Sequence, residues 1–147
     1  MSEQNNIPLT RFESMLKTNN VFFFDSSEFE DIIHYYLNNG KIALAKKATK
    51  LGLEQHPTST NLKLFQVEMF IFENELEIAE ELLENIYLLE QFNEEVFIQK
   101  ANILSRRDKH LEAIKMLEKA HNLSTEPSDV LSLIGMEYLF LEDFENA

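Results

Sequence analysis

Residues 26–59 read SSEFEDIIHYYLNNGKIALAKKATKLGLEQHPTS. Ser26-Ser27-Glu28 has the character of a helix N-terminus with an acidic first turn. Phe29, Ile32, Ile33 and Tyr36 follow at i, i+3, i+4 and i+7, which places them on one helix face. Asn38-Asn39-Gly40 closes that helix, because glycine takes the left-handed conformation without steric cost. Ile42, Ala45, Ala48, Thr49 and Gly52 mark a second helix. His56-Pro57 ends it, since proline drives the residue before it out of the α region. The stretch therefore predicts a helix, a tight turn and a second helix.

The same pattern recurs outward from this stretch at a step of 34 residues. Ala45, Ala79, Ala113 and Ala147 form one column; Tyr36, Phe70, Leu104 and Tyr138 another. Ile33, Val67, Ala101 and Gly135 form a third, and Ile42, Leu76, His110 and Phe144 a fourth. Thr49, Leu83 and Leu117 align, as do Gly52, Ile86 and Ala120. Six columns in one register, with no insertion or deletion, define a repeat. Helices are predicted over 62–72 and 76–89 in the second unit and over 96–106 and 111–123 in the third. The fourth unit opens at Ser128-Asp129, after Pro127, and runs to Leu141. No window has the alternation of a strand. One helix pair cannot bury its own apolar face, so stacking must supply the core. Small residues at 45, 79 and 113 are expected where paired helices cross closely, with Ala101 and Gly135 opposite.

These residues resemble the tetratricopeptide repeat, whose pattern is W-x2-L-G-x2-Y, then Ala-x3-Phe, then Pro, over 34 residues. The first unit gives Phe29-x2-Ile32-Ile33-x2-Tyr36, Ala45-x3-Thr49, Gly52 and Pro57. The fourth gives Leu131-x2-Ile134-Gly135-x2-Tyr138. The third gives Phe97, Ala101, Leu104, Ala113, Leu117 and Ala120. The second departs most, with Lys63 and Gln66 at usually apolar positions and Gln91 in place of the proline. The resemblance implies an all-α fold, a right-handed α-solenoid of tandem helix-turn-helix repeats at 26–59, 60–93, 94–127 and an incomplete 128–147. Residues 1–25 lie outside the period. Leu9, Phe12, Met15 and Leu16 after Pro8 form a short amphipathic helix, read as a cap on the first repeat, with docking of a partner as the alternative. Phe22-Phe23-Phe24 is expected to be buried. Ala147 falls at the start of a second helix, so the chain is expected to be an N-terminal fragment of a longer repeat protein whose last repeat is open.

Composition narrows the function classes. Asp and Glu number 26 against 13 Lys and Arg, a net charge of −13. Nucleic-acid binding asks for the opposite sign. Zero Cys removes thiolate metal sites and cysteine nucleophiles. The longest apolar cluster near the N-terminus is Val21-Phe22-Phe23-Phe24, far short of the roughly 20 residues that span a bilayer. No secretory leader is recognisable, and the cytoplasm is the expected location. His34, His56, His110 and His121 do not pair at helical spacing, so no metal site is expected; His110 is read as a half-exposed contact between helices. Glu73, Glu77, Glu80, Glu81 and Glu84 are read as a solvated face, with a docking patch for a basic partner as the alternative. Nothing predicts a pocket that would set one carboxylate against another for acid–base work, so no catalytic residue, no cofactor and no enzymatic activity are expected.

The resemblance supplies the remaining expectation. In that family the first helix of each pair lines a concave groove that holds a peptide or helix of a partner. Carried over by helix stripe, the groove residues are Glu30, His34, Leu37 and Asn38; Leu64, Glu68, Ile71 and Phe72; Ile98, Asn102, Ser105 and Arg106; and Met136 and Phe140. Some members grip a partner's C-terminal carboxylate with Lys, Asn and Arg on these stripes; only Asn102 is of that type here, so this mode is not expected. The helix over 62–72 is apolar nearly all round, so either its neighbours bury it or the groove is apolar. The expected function is a non-catalytic protein–protein interaction scaffold. The alternatives are self-association through the open last repeat, and a recognition arm for an effector domain beyond residue 147.

Overall fold

The 34-residue step is written into the backbone. The computed structural model describes residues 7–18, 20–125 and 127–146, and the side chains of Pro127 and residues 143–146 fall outside that description, as does Ala147. The described residues form eight helices: α1 (Ile7–Lys17), α2 (Ser26–Asn38), α3 (Ile42–Gln55), α4 (Thr60–Phe72), α5 (Leu76–Leu89), α6 (Glu94–Arg106), α7 (His110–Leu123) and α8 (Pro127–Asn146). The helices α2, α4 and α6 begin 34 residues apart, as do α3, α5 and α7. The turn inside each pair repeats atom for atom. Gly40, Asn74 and Asp108 all have positive φ, at 69°, 62° and 60°. The amides of Lys41, Glu75 and Lys109 donate to the carbonyls of Tyr36, Phe70 and Leu104 at 2.8, 2.8 and 2.9 Å. Those of Gly40, Asn74 and Asp108 donate to Leu37, Ile71 and Ser105 at 3.2, 3.0 and 3.0 Å. Each is a left-handed helix stop that satisfies two terminal carbonyls. The sequence predicts this only at Gly40; Asn and Asp serve at the other two because they tolerate αL better than other side chains do.

A first prediction follows. A Cβ on Gly40 would meet nothing within 4 Å, so the cost of Gly40→Ala is purely conformational, about 1–2 kcal/mol. Asn74→Gly stabilises by less than about 1 kcal/mol, since Asn already accepts this conformation. Urea unfolding of both variants checks the opposite signs.

The chain forms two compact units, residues 1–66 and 67–147, and α4 runs across the division. In the first unit, Phe12 of α1 is fully buried against the rings of Phe24, Phe29 and Tyr36, with centroids 6.1, 6.5 and 6.1 Å away. Tyr36 donates its hydroxyl to Glu13 at 3.3 Å. Burial, then the Glu13 carboxylate, push its phenol well above the usual tyrosine value. The cap of α2 is Asp25, one residue earlier than the serines suggest, and the Asp25 amide donates to the Glu28 carboxylate at 3.0 Å. Ala45 and Ala48 are fully buried, and Gly52 leaves so little room that a Cβ would lie 3.1 Å from both Leu62 and Phe29.

The segment before α2 corrects one expectation. Phe24 is buried and Phe22 half-buried, but Phe23 is 64% exposed. The chain is extended here, so successive side chains point to opposite sides. Gln55 holds it from both directions: its Nε2 donates to the Phe22 carbonyl at 2.8 Å and its Oε1 accepts from the Phe24 amide at 3.0 Å. His56 Nε2 lies 2.6 Å from the Phe24 carbonyl. Nothing in the sequence reading singles out Gln55.

In the second unit, α7 packs against both α6 and α8. Phe97, Ala101, Ala113, Leu117, Ala120 and Val130 form a continuous core. Ala79 and Ala113 are fully buried, as their column requires. The acidic stripe of α5 is exposed as expected, and α6 answers part of it. Arg107, in the turn after α6, pairs with Glu80, while Lys100 lies 3.6 Å from Glu84 and 4.0 Å from the Tyr87 ring centroid.

Three features of this unit differ from the sequence reading. The helix α8 continues past Leu141 to Asn146. Gly135 is exposed and a Cβ there would meet nothing, so it marks no close crossing; along α8 Leu131 and Tyr138 are also exposed, at 54% and 56%. His110 is not half-exposed but buried, because it has a buried acid to pair with: its Nδ1 lies 2.7 Å from Oε2 of Glu137, itself buried. The column residues Phe144, by its side chain, and Ala147 lie outside the described residues.

Candidate cleft along α6 and α8

Two adjacent hollows in the second unit share Ile98 and Leu133 as their common wall. The larger, ≈ 380 Å³, is floored by Leu117 of α7 and lined on α6 by Ile98, Asn102 and Ser105, and on α8 by Met136 and Phe140. Five of the fourteen residues expected on the groove stripes thus meet around one space. They do so because α6 positions 98, 102 and 105 fall on one helical side, and α8 positions 133, 136, 137 and 140 repeat the same spacing. Met136 and Phe140 are 51% and 43% exposed, so the space is open to solvent. The smaller hollow, ≈ 320 Å³, lies where α6 and α8 begin and holds Glu94, Glu95 and Asp129.

Among the described residues, the charged side chains in these linings are all carboxylates. Gln99 is buried; its Nε2 donates to Glu95 Oε1 at 2.9 Å, and its Oε1 has no hydrogen-bond partner. Oε2 of Glu94 is likewise buried and unpartnered. Burial raises the Glu95 carboxyl above its ordinary value of 4.5; the Glu68 and Glu94 carboxylates add to this, and the Gln99 hydrogen bond opposes it. Glu137 lines the larger hollow while pairing with His110, whose ring lies 5.5 Å from that of Phe140 at 37°. Among the described residues, neither lining contains Lys or Arg.

The Glu95 shift carries its own prediction. Its carboxyl holds its proton more tightly folded than unfolded, so its contribution is full below the ordinary glutamate value and is lost as pH rises through the raised value. At neutral pH the charge therefore opposes folding, and Glu95→Gln raises the midpoint of thermal unfolding. The gain shrinks to nothing as pH falls through the ordinary carboxylate range. The amide oxygen of glutamine can still accept from Gln99. Melting curves at several pH values read both parts.

The other candidate residues lie elsewhere. Glu30 accepts from Asn61 at 2.8 Å, and exposed His34 sets its ring 4.9 Å from that of Phe65. Leu37 is half-buried; Asn38, Glu68 and Arg106 are exposed, and Phe72 is 59% exposed. Leu64 and Ile71 are buried, at 6% and 1%, and are not open groove surface. Burial takes nearly all the apolar surface of α4, which answers the choice its sequence leaves open: only Phe72 is exposed among its large apolar residues, and Phe70 is half-buried. Among the described residues, no group of three or more His, Asp or Glu is placed to hold a metal ion. No helix of the described residues is long and apolar enough to cross a membrane.

The sequence reading missed Gln99, Leu117, Leu133 and Glu137. One signal was available, at Glu137: its column holds Tyr35, Met69 and Ile103, all buried or half-buried, whereas the column of Gln99 holds exposed Asp31 beside Phe65 and Leu133. No protein-family model, no curated protein and no solved structure matches the chain.

Proposed function

We propose that the chain is a non-catalytic interaction module of the tetratricopeptide type, which takes a peptide or helix of a partner protein in the cleft along α6 and α8. The right-handed winding that the resemblance implies is part of this proposal. The observation that supports it most is the convergence of Ile98, Asn102, Ser105, Met136 and Phe140 on one open, mostly apolar hollow. Apolar side chains with a few placed polar groups are the composition of a recognition site. An amphipathic segment laid in such a groove buries its apolar face and leaves its polar face in water.

A display selection of random 16-residue peptides on the whole chain tests this, beside an Ile98→Glu, Met136→Glu variant that keeps its helical circular dichroism. The expected result is a peptide set enriched by the parent chain and lost with the variant. Enrichment equal for both, or none for either, sinks the reading. Leu64 is unsuitable for such a variant, because a charge at a buried site would unfold the helix that carries it.

A second reading is self-association. Leu131, Tyr138 and Leu139 of α8 are 54–60% exposed, and contiguous exposed apolar surface often marks a protein contact. Light scattering after gel filtration separates the two: a dimer at micromolar concentration that a Leu131→Glu, Tyr138→Glu variant converts to monomer favours self-association.

A further inference from the structure

The turn between α5 and α6 carries apolar side chains that the repeat does not use. Leu88, Leu89 and Phe92 are 65%, 76% and 82% exposed and meet around one open hollow of ≈ 580 Å³. Leu88 stands where the first and third repeats have Glu54 and Asn122, and Phe92 where they have Thr58 and Glu126. The column of Leu89 is mixed, with Gln55 and Leu123. Helix packing therefore asks for no apolar residue at 88 or 92. Contiguous exposed apolar surface of this kind marks a protein contact.

The charge beside this patch decides the occupant. Glu77, Glu81 and Leu88 fall at i, i+4 and i+11 of α5, on one outward stripe, and all three are exposed. Lys100 and Arg107 answer Glu84 and Glu80, on the side turned to α6. From Glu68 to Glu95 the sequence has ten Glu and no Lys or Arg. A second copy would bring the same stripe and a net charge of −13, so like charge opposes pairing two of these surfaces. We propose that the outer face of α5 and the turn after it dock a basic amphipathic helix of another protein. Its lysines or arginines lie against Glu77 and Glu81, and its apolar residues cover Leu88, Leu89 and Phe92. Leu88 is about 10 Å along the helix from Glu81 and about 17 Å from Glu77, so the partner's basic and apolar groups lie about two to three turns apart. Among the described residues, none of these side chains lines either hollow along α6 and α8, and the surface is independent of the cleft reading.

The test displays random peptides of about 18 residues, long enough to form a helix. They are selected on the whole chain and counter-selected on a Leu88→Asn, Phe92→Thr variant. Both substitutions place at exposed positions a residue that the same column holds in another repeat, so the thermal midpoint should not move. The expected binders carry Lys or Arg two or three turns from Leu, Ile, Met or Phe. The variant should weaken them about tenfold or more, the loss usual for a central contact residue. A Glu77→Gln, Glu81→Gln variant should weaken them several-fold, as should higher salt. The Ile98→Glu, Met136→Glu variant should bind them as the parent does; binders lost equally with it belong to the cleft and overturn a separate surface. Finding no peptide that prefers the parent chain overturns the surface outright. Binders that lack a basic residue and ignore salt overturn the basic partner. A parent dimer that the Leu88→Asn, Phe92→Thr change makes monomeric in light scattering identifies a second copy as the occupant and overturns the proposal as well.

Discussion

Phe12→Ala is expected to cost the protein about 3–5 kcal/mol, the range for removing a fully buried phenylalanine. The ring is completely enclosed, and its neighbours come from both the segment before α2 and from α2 itself: Phe24, Phe29 and Tyr36. None of these can relax into the space cheaply, since Phe29 also abuts Gly52 of α3 and Tyr36 is tied to Glu13. The cavity contribution should therefore be near its full size. Phe23→Ala is the matched control: that ring is 64% exposed, and its loss should change stability by no more than about 0.5 kcal/mol. Urea unfolding followed by circular dichroism reads both. The pair also decides what α1 is for. If α1 is a cap, its removal is a stability event; if it is a docking segment that lifts off, Phe12→Ala should cost less than about 1 kcal/mol.

The repeat was legible because it is fixed by small and special residues. An alanine at 45, 79 and 113, or a glycine at 40, answers a steric demand that few other residues meet, so such positions stand out in a string of letters. Helix bounds followed from the same columns to within a few residues, and Ala45, Ala79 and Ala113 are all fully buried. What was not legible is pairing across helices. Gln55 looks like one more polar residue at a helix end, yet its amide holds a stretch of backbone more than thirty positions earlier. Glu137 looks like a surface residue until its column is compared with Tyr35, Met69 and Ile103, and Gln99 shares its column with exposed Asp31 as well as with Phe65 and Leu133. A stripe argument assigns a face to each helix but not how deeply the face is covered; hence it placed Leu64 and Ile71 on the groove, where burial has taken them. The cleft could be anticipated on α6 and α8, where the stripe residues remain open, and not on α4.

The pair His110–Glu137 bears on both stability and the cleft. In its column His110 stands where earlier repeats have Ile42 and Leu76, and Glu137 where they have Tyr35, Met69 and Ile103. Two apolar positions have become one hydrogen-bonded polar contact, 2.7 Å long, which ties α8 to the start of α7. Removing one partner leaves the other buried and unsatisfied. Glu137→Ala should cost about 1–3 kcal/mol from the orphaned imidazole alone, and more once the space left by the side chain is counted. Replacing both is a different experiment. His110→Leu with Glu137→Met restores the pattern of the other repeats, and exchanging a buried polar pair for apolar residues of similar volume is commonly neutral or stabilising. The double variant should therefore be far more stable than Glu137→Met alone, so that His110→Leu and Glu137→Met are strongly non-additive in a double-mutant cycle. If the double variant is as unstable as the single one, the contact is not a substitute for apolar packing and the column argument fails there. The same variant separates fold from recognition. Glu137 also lines the hollow beside Phe140, so a chain with recovered stability and weakened binding of a selected peptide would place this carboxylate in recognition as well as in packing, and unchanged binding would confine it to holding α8 in place.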